Sequence, residues 1–163
     1  MATTVTNRAK FRALSCYLAG GTPPASIEVM LLGGTTPASI EVLLLGGTTP
    51  ASLAASVPDL NSVADLLAVT DVDELVATNY ARSALASVTA SEDDTNDRGA
   101  VDAADEVFAS LGGAANDTIK AVAVFETGAS DAARNLILVQ DGLSVPTNGA
   151  NVTVTIADLL RAT

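Results

Sequence analysis

A tandem repeat of 13 residues constrains the fold more than any other feature of the sequence. The unit GGTPPASIEVMLL at 20–32 is followed by GGTTPASIEVLLL at 33–45 and by a partial copy, GGTTPASL, at 46–53. Each unit joins a Gly-Gly-Thr-Pro turn to an apolar strand of five or six residues. Two full copies are too few and too short for a solenoid that buries its own core. We therefore interpret the repeat as a duplicated strand-turn module whose second copy lengthens a hairpin, and both copies are candidates for the strand that joins the sheet.

The remainder of the chain predicts a mainly β fold. Apolar and β-branched residues dominate three predicted strands, at 119–126, 135–140 and 151–157. The polar run SEDDTNDR at 91–98 predicts a turn. Short strands at this spacing favour an antiparallel β-sandwich or barrel-like domain. We expect three segments: an arm at 1–20, the duplicated module at 21–57 and a β-rich domain at 58–163, with 21–163 forming one compact unit.

Helices are expected at two places. Near the amino terminus, Phe11, Leu14 and Leu18 recur at spacings of three and four, which predicts an amphipathic helix over 7–19. The second place is 58–80, where one or two short helices are predicted. Asp59 or Asn61 is the expected cap of the first, which carries Val63, Leu66 and Leu67, and the acidic residues Asp71, Asp73 and Glu74 are expected to open the second.

Charge is distributed unevenly along the chain. Residues 1–20 carry a charge of +3 and the remainder −14, which gives the net charge of −11. Such an acidic protein is unsuited to nucleic acid or to an anionic membrane as its main partner. The basic segment is expected to dock on an acidic neighbour, including another copy of this chain, unless it is simply a solvated helix face. The interface candidates are Arg8, Lys10, Phe11 and Arg12.

Composition excludes much of enzyme chemistry. The chain has no His, so Ser-His-Asp and Cys-His nucleophile pairs and imidazole metal sites are impossible. Its single cysteine, Cys16, can form neither an intramolecular disulfide nor a thiolate zinc cluster. Only five aromatic side chains are present, so the core must be built from small aliphatic residues. We expect a protein that binds or builds rather than one that catalyses.

An acidic segment at 91–106 holds seven carboxylates and one arginine, Arg98. Carboxylate and amide oxygens at alternate positions of a turn can hold calcium, but the glycine and the bidentate glutamate of an EF-hand loop are missing. We expect these side chains to cap the turn through hydrogen bonds to its backbone, with no metal bound. The calcium alternative would use Asp93, Asp94, Asn96 and Asp97.

Two longer strings carry a resemblance to a known group of proteins. TNYARSALASVTASEDDTNDRGAVDAADEVFASL at 78–111 and AVAVFETGASDAARNLILVQDG at 121–142 resemble small structural proteins of tailed-bacteriophage virions. The resemblance covers about the last 85 residues of the chain well. The residues that carry it are Tyr80, Arg82, Leu85, Asp93-Asp94-Thr95-Asn96-Asp97-Arg98, Asp102, Asp105, Phe108, Thr127-Gly128-Ala129-Ser130-Asp131 and Gln140-Asp141-Gly142.

The resemblance implies a virion protein that has no cofactor and is not an enzyme. Our first hypothesis is a capsid decoration (cement) protein that stabilises the head lattice, with the major capsid protein or other virion proteins as partners and with homo-oligomers expected. The second places it in the tail, the neck or a head fibre. A third, from another class, is a calcium-dependent module that binds a receptor or a glycan through 91–106.

Overall fold

The fold is mainly β, with antiparallel sheets and few helices. A computed structural model describes residues 3–5, 39–53, 56–93, 98–156 and 160–162. The helix predicted over 7–19 and the first copy of the repeat lie outside these ranges. In the part of the chain that the structure describes, no helix is long and apolar enough to cross a membrane.

Strands account for most of the regular structure. The strands are β1 (Thr3–Val5), β2 (Ile40–Gly46), β3 (Asp73–Glu74), β4 (Ser83–Ala84), β5 (Thr89–Asp93), β6 (Arg98–Asp102), β7 (Glu106–Leu111), β8 (Thr118–Ile119), β9 (Ala121–Glu126), β10 (Leu136–Gln140), β11 (Val145–Pro146), β12 (Ala150–Val154) and β13 (Leu160–Ala162). The helical elements are α1 (Val63–Leu67) and two 3₁₀ turns, Val57–Asp59 and Asp131–Ala133.

A central antiparallel sheet organises the molecule. Its strands follow the order β1-β10-β9-β2-β3, and β4 pairs with β2 beside β3. The longest pairing joins β2 to β9, from Ile40 opposite Glu126 to Leu45 opposite Ala121. The second copy of the repeat therefore supplies a strand of this sheet, as its apolar IEVLLL sequence predicted. No strand was predicted at Thr3–Val5, which pairs with β10 as β1.

The central sheet is buried on both faces. The first core contains Ile40, Val42, Leu44, Leu75, Leu85, Val101, Ala103, Phe108, Leu111, Ile119, Val122, Val124, Ile137 and Leu138. The second core contains Leu43, Leu45, Leu53, Val57, Val63, Leu66, Val72, Ala121, Ala123, Phe125, Leu136 and Val139. Successive side chains of β2 and β9 alternate between the two cores, because side chains of a strand point alternately to opposite faces. Burial on both faces explains the apolar runs Val42–Leu45 and Ala121–Phe125, and the charged residues of the two strands, Glu41 and Glu126, lie near one end of the pairing.

Different parts of the chain cover the two faces. Smaller sheets contribute to the first core: β7 pairs with β12, β5 and β13 flank β6, and β8 pairs with β11. The segment from Leu53 to Val72, which includes α1, covers the second core. A register shift in β10 between Leu136 and Leu138 places the neighbours Ile137 and Leu138 in the same core, as an extra residue in a bulge does.

The predicted helix at Val63, Leu66 and Leu67 is confirmed as α1, but its predicted cap is wrong. Ser62 is the cap: its Oγ accepts from the Asp65 backbone N–H at 3.2 Å. The Asp65 carboxylate reciprocates by accepting from the Ser62 N–H at 3.0 Å. This capping box satisfies two backbone donors at once, which neither predicted residue does.

The second predicted helical turn, opened by Asp71, Asp73 and Glu74, is wrong. Asp73–Glu74 is instead the strand β3, which pairs with the end of β2. The Leu75 N–H donates to the Leu44 carbonyl at 2.9 Å, so β2 satisfies a donor that a helix would have used internally. Acidic residues suit a helix start, but here the neighbouring strand decides the backbone conformation.

The three predicted strands after residue 118 are confirmed with shifted ends. They correspond to β9, β10 and β12, and β12 is shorter than predicted because it ends at Val154. The ends of the polar run at 91–98, predicted as a turn, belong to strands: β5 extends to Asp93, β6 begins at Arg98, and these two residues lie opposite each other in the pairing. The residues between them, 94–97, lie outside the described ranges.

Two neighbouring residues of β7 test which face of this strand packs into the first core. Phe108 is 5% exposed in the first core, whereas Val107 is 49% exposed. Phe108→Ala is expected to lower the free energy of unfolding by about 3–5 kcal/mol, because it leaves a cavity. Val107→Ala, the matched control, is expected to change it by less than about 0.5 kcal/mol. Urea unfolding followed by circular dichroism measures both, and equal effects would contradict the assignment.

Candidate functional site

A group of charged side chains and one tyrosine gathers where β2, β3 and the second 3₁₀ turn approach one another. We call it the Arg82 cluster. Its members come from four separate stretches of the chain, so it forms only when the central sheet is assembled. The members are Glu41 on β2, Glu74 on β3, Tyr80 and Arg82 before β4, Asp131 in the 3₁₀ turn and Arg134 after it.

Arg82 lies between two carboxylates. Its Nε and Nη2 donate to Glu74 at 2.9 and 2.7 Å. Its Nη1 and Nη2 donate to Asp131 at 2.5 and 3.2 Å. Both contacts are bidentate, the geometry in which a guanidinium holds a carboxylate most firmly. The Arg82 side chain is 20% exposed, so solvent screens these ion pairs only partly.

Arg134 extends the cluster toward β2. Its Nη1 donates to Asp131 at 2.8 Å, and its Nε lies 3.8 Å from the Glu41 carboxylate. This Nε is buried and has no hydrogen-bond partner among the described residues, so the ion pair with Glu41 is its main compensation. The guanidinium carbons of Arg82 and Arg134 lie 5.8 and 5.9 Å from the centre of the Phe125 ring. Both cations therefore add attraction to a ring that is fully buried in the second core.

Tyr80 connects the cluster to the backbone of β2. Its hydroxyl accepts from the Leu44 N–H at 3.0 Å and donates to the Glu74 carboxylate at 2.9 Å. Burial raises the pKa of the Tyr80 phenol far above its ordinary value, with the charge of Glu74 adding to the shift. The ring packs against Phe108 with 6.1 Å between centroids. Tyr80 is thus a neutral hydrogen-bond donor that ties β3 and β2 to the first core.

The protonation states of Tyr80, Arg82 and Asp131 are fixed near neutral pH. The hydrogen bonds that Arg82 donates to Glu74 and Asp131 raise the pKa of Arg82, and the one to Asp131 lowers the pKa of Asp131. An acid-base catalyst needs a pKa near the working pH, and these shifts move the groups away from it. The arrangement is therefore suited to cross-linking chain segments.

The turn of the third repeat copy is held by two further carboxylates. The Asp117 carboxylate accepts from the Gly47 N–H at 3.0 Å and from the Val76 N–H at 3.1 Å. Burial pushes the pKa of Asp117 upward, but these backbone donors outweigh it and the pKa is lowered. The Asp73 carboxylate accepts from the Thr48 hydroxyl at 2.5 Å, which lowers the pKa of Asp73. These contacts fix the turn to β3 and to the strand that follows Asp117.

Both glycines of this turn are required by their surroundings. A Cβ at Gly46 would collide with the Asp117 carboxylate, and Gly47 has a φ of +56°, which favours glycine. The Gly-Gly pair that begins each repeat unit thus has a steric explanation in the one copy of the turn described here.

Most of the site residues predicted from the sequence are not placed by the structure. Arg8, Lys10, Phe11 and Arg12 lie outside the described residues, so their role as an interface stays a prediction. Of the calcium candidates, Asp93 ends β5, whereas Asp94, Asn96 and Asp97 are likewise outside. Among the described residues, no group of three or more His, Cys, Asp or Glu side chains is arranged to hold a metal ion.

Comparisons of the chain with models of known protein families, with curated protein sequences and with solved structures return no match. The Arg82 cluster is therefore interpreted from its geometry alone. Three of its members, Tyr80, Arg82 and Asp131, are motif positions singled out in the sequence. Glu41 and Arg134 were missed, although an arginine is conspicuous in a segment as poor in basic residues as 21–163.

Removal of Arg82 tests how much the cluster contributes to the free energy of unfolding. Arg82→Met would remove the cation that lies between Glu74 and Asp131, while Asp131 would keep its contact with Arg134. We expect a loss of about 1–3 kcal/mol in the free energy of unfolding, below the 3–5 kcal/mol typical of a fully buried pair. Lys120→Met removes one cation outside the cluster and is expected to cost less than about 0.5 kcal/mol. Equal losses in urea unfolding of the two variants would contradict a special role for Arg82.

The lowered pKa of Asp131 predicts a pH dependence. A carboxyl with a lower pKa in the folded state stabilises the fold above its unfolded pKa, about 3.9, and this stabilisation is lost as the pH falls through the folded value. Asp131→Asn is therefore expected to be less stable than the wild type at pH 7, by an amount that shrinks below about pH 4.

Urea unfolding at a series of pH values measures this difference. The variant Asp71→Asn, which removes an exposed carboxylate outside the cluster, controls for a general change in charge. A gap between the wild type and Asp131→Asn that stays constant down to about pH 2 would contradict the prediction.

Proposed function

We propose that this protein is a structural protein of a bacteriophage virion, specifically a capsid decoration protein that adds contacts between units of the head lattice. One observation carries the proposal. Tyr80, Arg82 and Asp131 belong to two separate strings of the resemblance, and they meet in one hydrogen-bonded cluster. Motif residues that share a structural task are expected to lie in contact in the folded protein. A chance match of two separate strings gives no reason for their residues to meet.

The fold agrees with a building role. The ion pairs and hydrogen bonds by which the cluster cross-links β2, β3 and the 3₁₀ turn suit a rigid module. We also propose an antiparallel sandwich, in which the β7–β12 pair and the sheet of β5, β6 and β13 complete the layer facing the central sheet. Its support is the first core, to which Val101 of β6 and Phe108 of β7 contribute.

Docking is assigned to the basic segment that follows β1. Arg8, Lys10 and Arg12 supply all the positive charge of 1–20, and the rest of the chain is acidic. The partner is an acidic surface of the major capsid protein, of another virion protein or of a second copy of this chain. Opposite charges on two surfaces accelerate and orient such docking. The protein is then located in the virion.

The experiment compares two variants with the same change in charge. Arg8→Gln/Lys10→Gln/Arg12→Gln removes the basic segment's charge and leaves β1 in place. Arg98→Gln/Lys120→Gln/Arg161→Gln removes three cations elsewhere. We expect the first triple variant to bind purified particles at least about tenfold more weakly than the wild type, since each 1.4 kcal/mol of lost contact is a factor of ten. The control is expected to retain most of its binding.

Copy number per particle decides the location. Quantitative mass spectrometry against the major capsid protein is expected to give a simple ratio to the capsid count, as a decoration of the whole lattice requires. A handful of copies would favour the tail, the neck or a head fibre instead. Absence of the wild-type protein from particles would overturn the decoration role. Equal binding of the two triple variants would overturn the assignment of docking to the basic segment.

A further inference from the structure

The place of β2 in the central sheet sets strict requirements on its occupant. We call this place the β2 slot, bounded by β9 on one side and by β3 and β4 on the other. Five of the first six side chains of β2 are buried, with exposures between 0% and 3%: Ile40, Val42, Leu43, Leu44 and Leu45. At the entrance of the slot, the Thr127 N–H donates to the Ser39 carbonyl at 2.8 Å.

The first repeat copy meets the same requirements. Its sequence Ser26-Ile27-Glu28-Val29-Met30-Leu31-Leu32 matches 39–45 at every position except one, where Met30 stands in place of Leu43. Leucine and methionine have similar volumes, and exchanges between them are tolerated well in cores. A slip of one residue would turn every side chain to the wrong face, but a slip of 13 restores each residue type to its own face.

The turn that follows the strand is identical in the two copies. GGTTPAS at 33–39 repeats GGTTPAS at 46–52. The hydrogen bonds that Gly47 and Thr48 make with Asp117 and Asp73 can therefore be made by Gly34 and Thr35. Beyond the turn, Ile40 would replace Leu53, another buried aliphatic residue of the second core.

We propose that the β2 slot accepts either copy of the repeat, so that residues 27–39 can replace residues 40–52 within the same chain. The connection from β1 to the slot then shortens from 6–39 to 6–26, and 13 residues are added before the first 3₁₀ turn. The entropy of closing a loop grows only with the logarithm of its length, so the added residues carry a small penalty. The first copy is thus an alternative strand for the slot. The exchange of copies changes the length of the segment that carries the basic residues.

Charges placed in the two copies test the proposal in the full-length chain. Val42→Asp puts a carboxylate on a fully buried position of the slot, whereas Val29→Asp alters the equivalent residue of the first copy. We expect Val42→Asp to keep a single cooperative unfolding transition, with its urea midpoint lowered by about 1 M or less, because the first copy takes the slot. Val29→Asp is expected to leave the midpoint unchanged. The double variant is expected to lose the transition.

The outcomes distinguish the proposal from its alternatives. Unfolding of Val42→Asp as complete as that of the double variant would overturn it. A midpoint of Val42→Asp that rises with protein concentration would mean that the strand comes from a second molecule, which would overturn exchange within one chain.

A deletion provides an independent check. Removal of 33–45 leaves Leu32 joined to Gly46 and one copy of the strand, with Met30 at the position of Leu43. This shortened chain is expected to unfold cooperatively, and adding Val29→Asp to it is expected to abolish the transition. Failure of the shortened chain to fold would show that the first copy does not fit the slot.

Discussion

The pairing of β2 with β9 is the interaction on which the rest of the structure depends, because both strands contribute side chains to both cores. Six consecutive residue pairs, from Ile40–Glu126 to Leu45–Ala121, join strands from the repeat and from the carboxy-terminal half. The smaller sheets pack into the first core, and α1 and its flanking segments pack into the second. With only five aromatic residues in the chain, burial on two faces is how small aliphatic side chains supply enough apolar contact. Loss of this pairing would separate the layers on both sides at once.

The Arg82 cluster links β3, at the edge of this sheet, to its neighbours through ion pairs and hydrogen bonds. It gathers β2, β3, the segment before β4 and the second 3₁₀ turn, which the hydrophobic cores alone would hold with less precise orientation. Its bidentate ion pairs are directional, whereas apolar contact is not. The two guanidiniums also lie near the ring of Phe125, so the charged cluster and the second core support each other. This combination gives the motif residues Tyr80, Arg82 and Asp131 a shared structural purpose and agrees with the proposed role in a virion lattice.

The elements that could be predicted from sequence are those whose own residues decide their conformation. β9, β10 and the strand of the repeat are rich in apolar residues, and α1 has apolar residues at helical spacing. β3 was mistaken for a helix because its conformation is set by hydrogen bonds to β2, which no local pattern in Asp73 and Glu74 reveals. The Arg82 cluster was predictable only as separate motif positions. Its assembly depends on contacts between distant parts of the chain. Arg82 and Asp131 are 49 positions apart, and Glu41 and Arg134, which join the cluster through the fold alone, are still farther apart.

Native-state hydrogen exchange on β9 tests the central claim most directly. Val122 to Phe125 are buried, and β9 is paired with β2 on one side and with β10 on the other. If the whole structure depends on this strand, its amides exchange only when the molecule unfolds completely. Their free energy of opening is then expected to equal the free energy of unfolding measured with urea. Exchange of these amides at a clearly lower free energy, while α1 or β7 remains protected, would contradict the account.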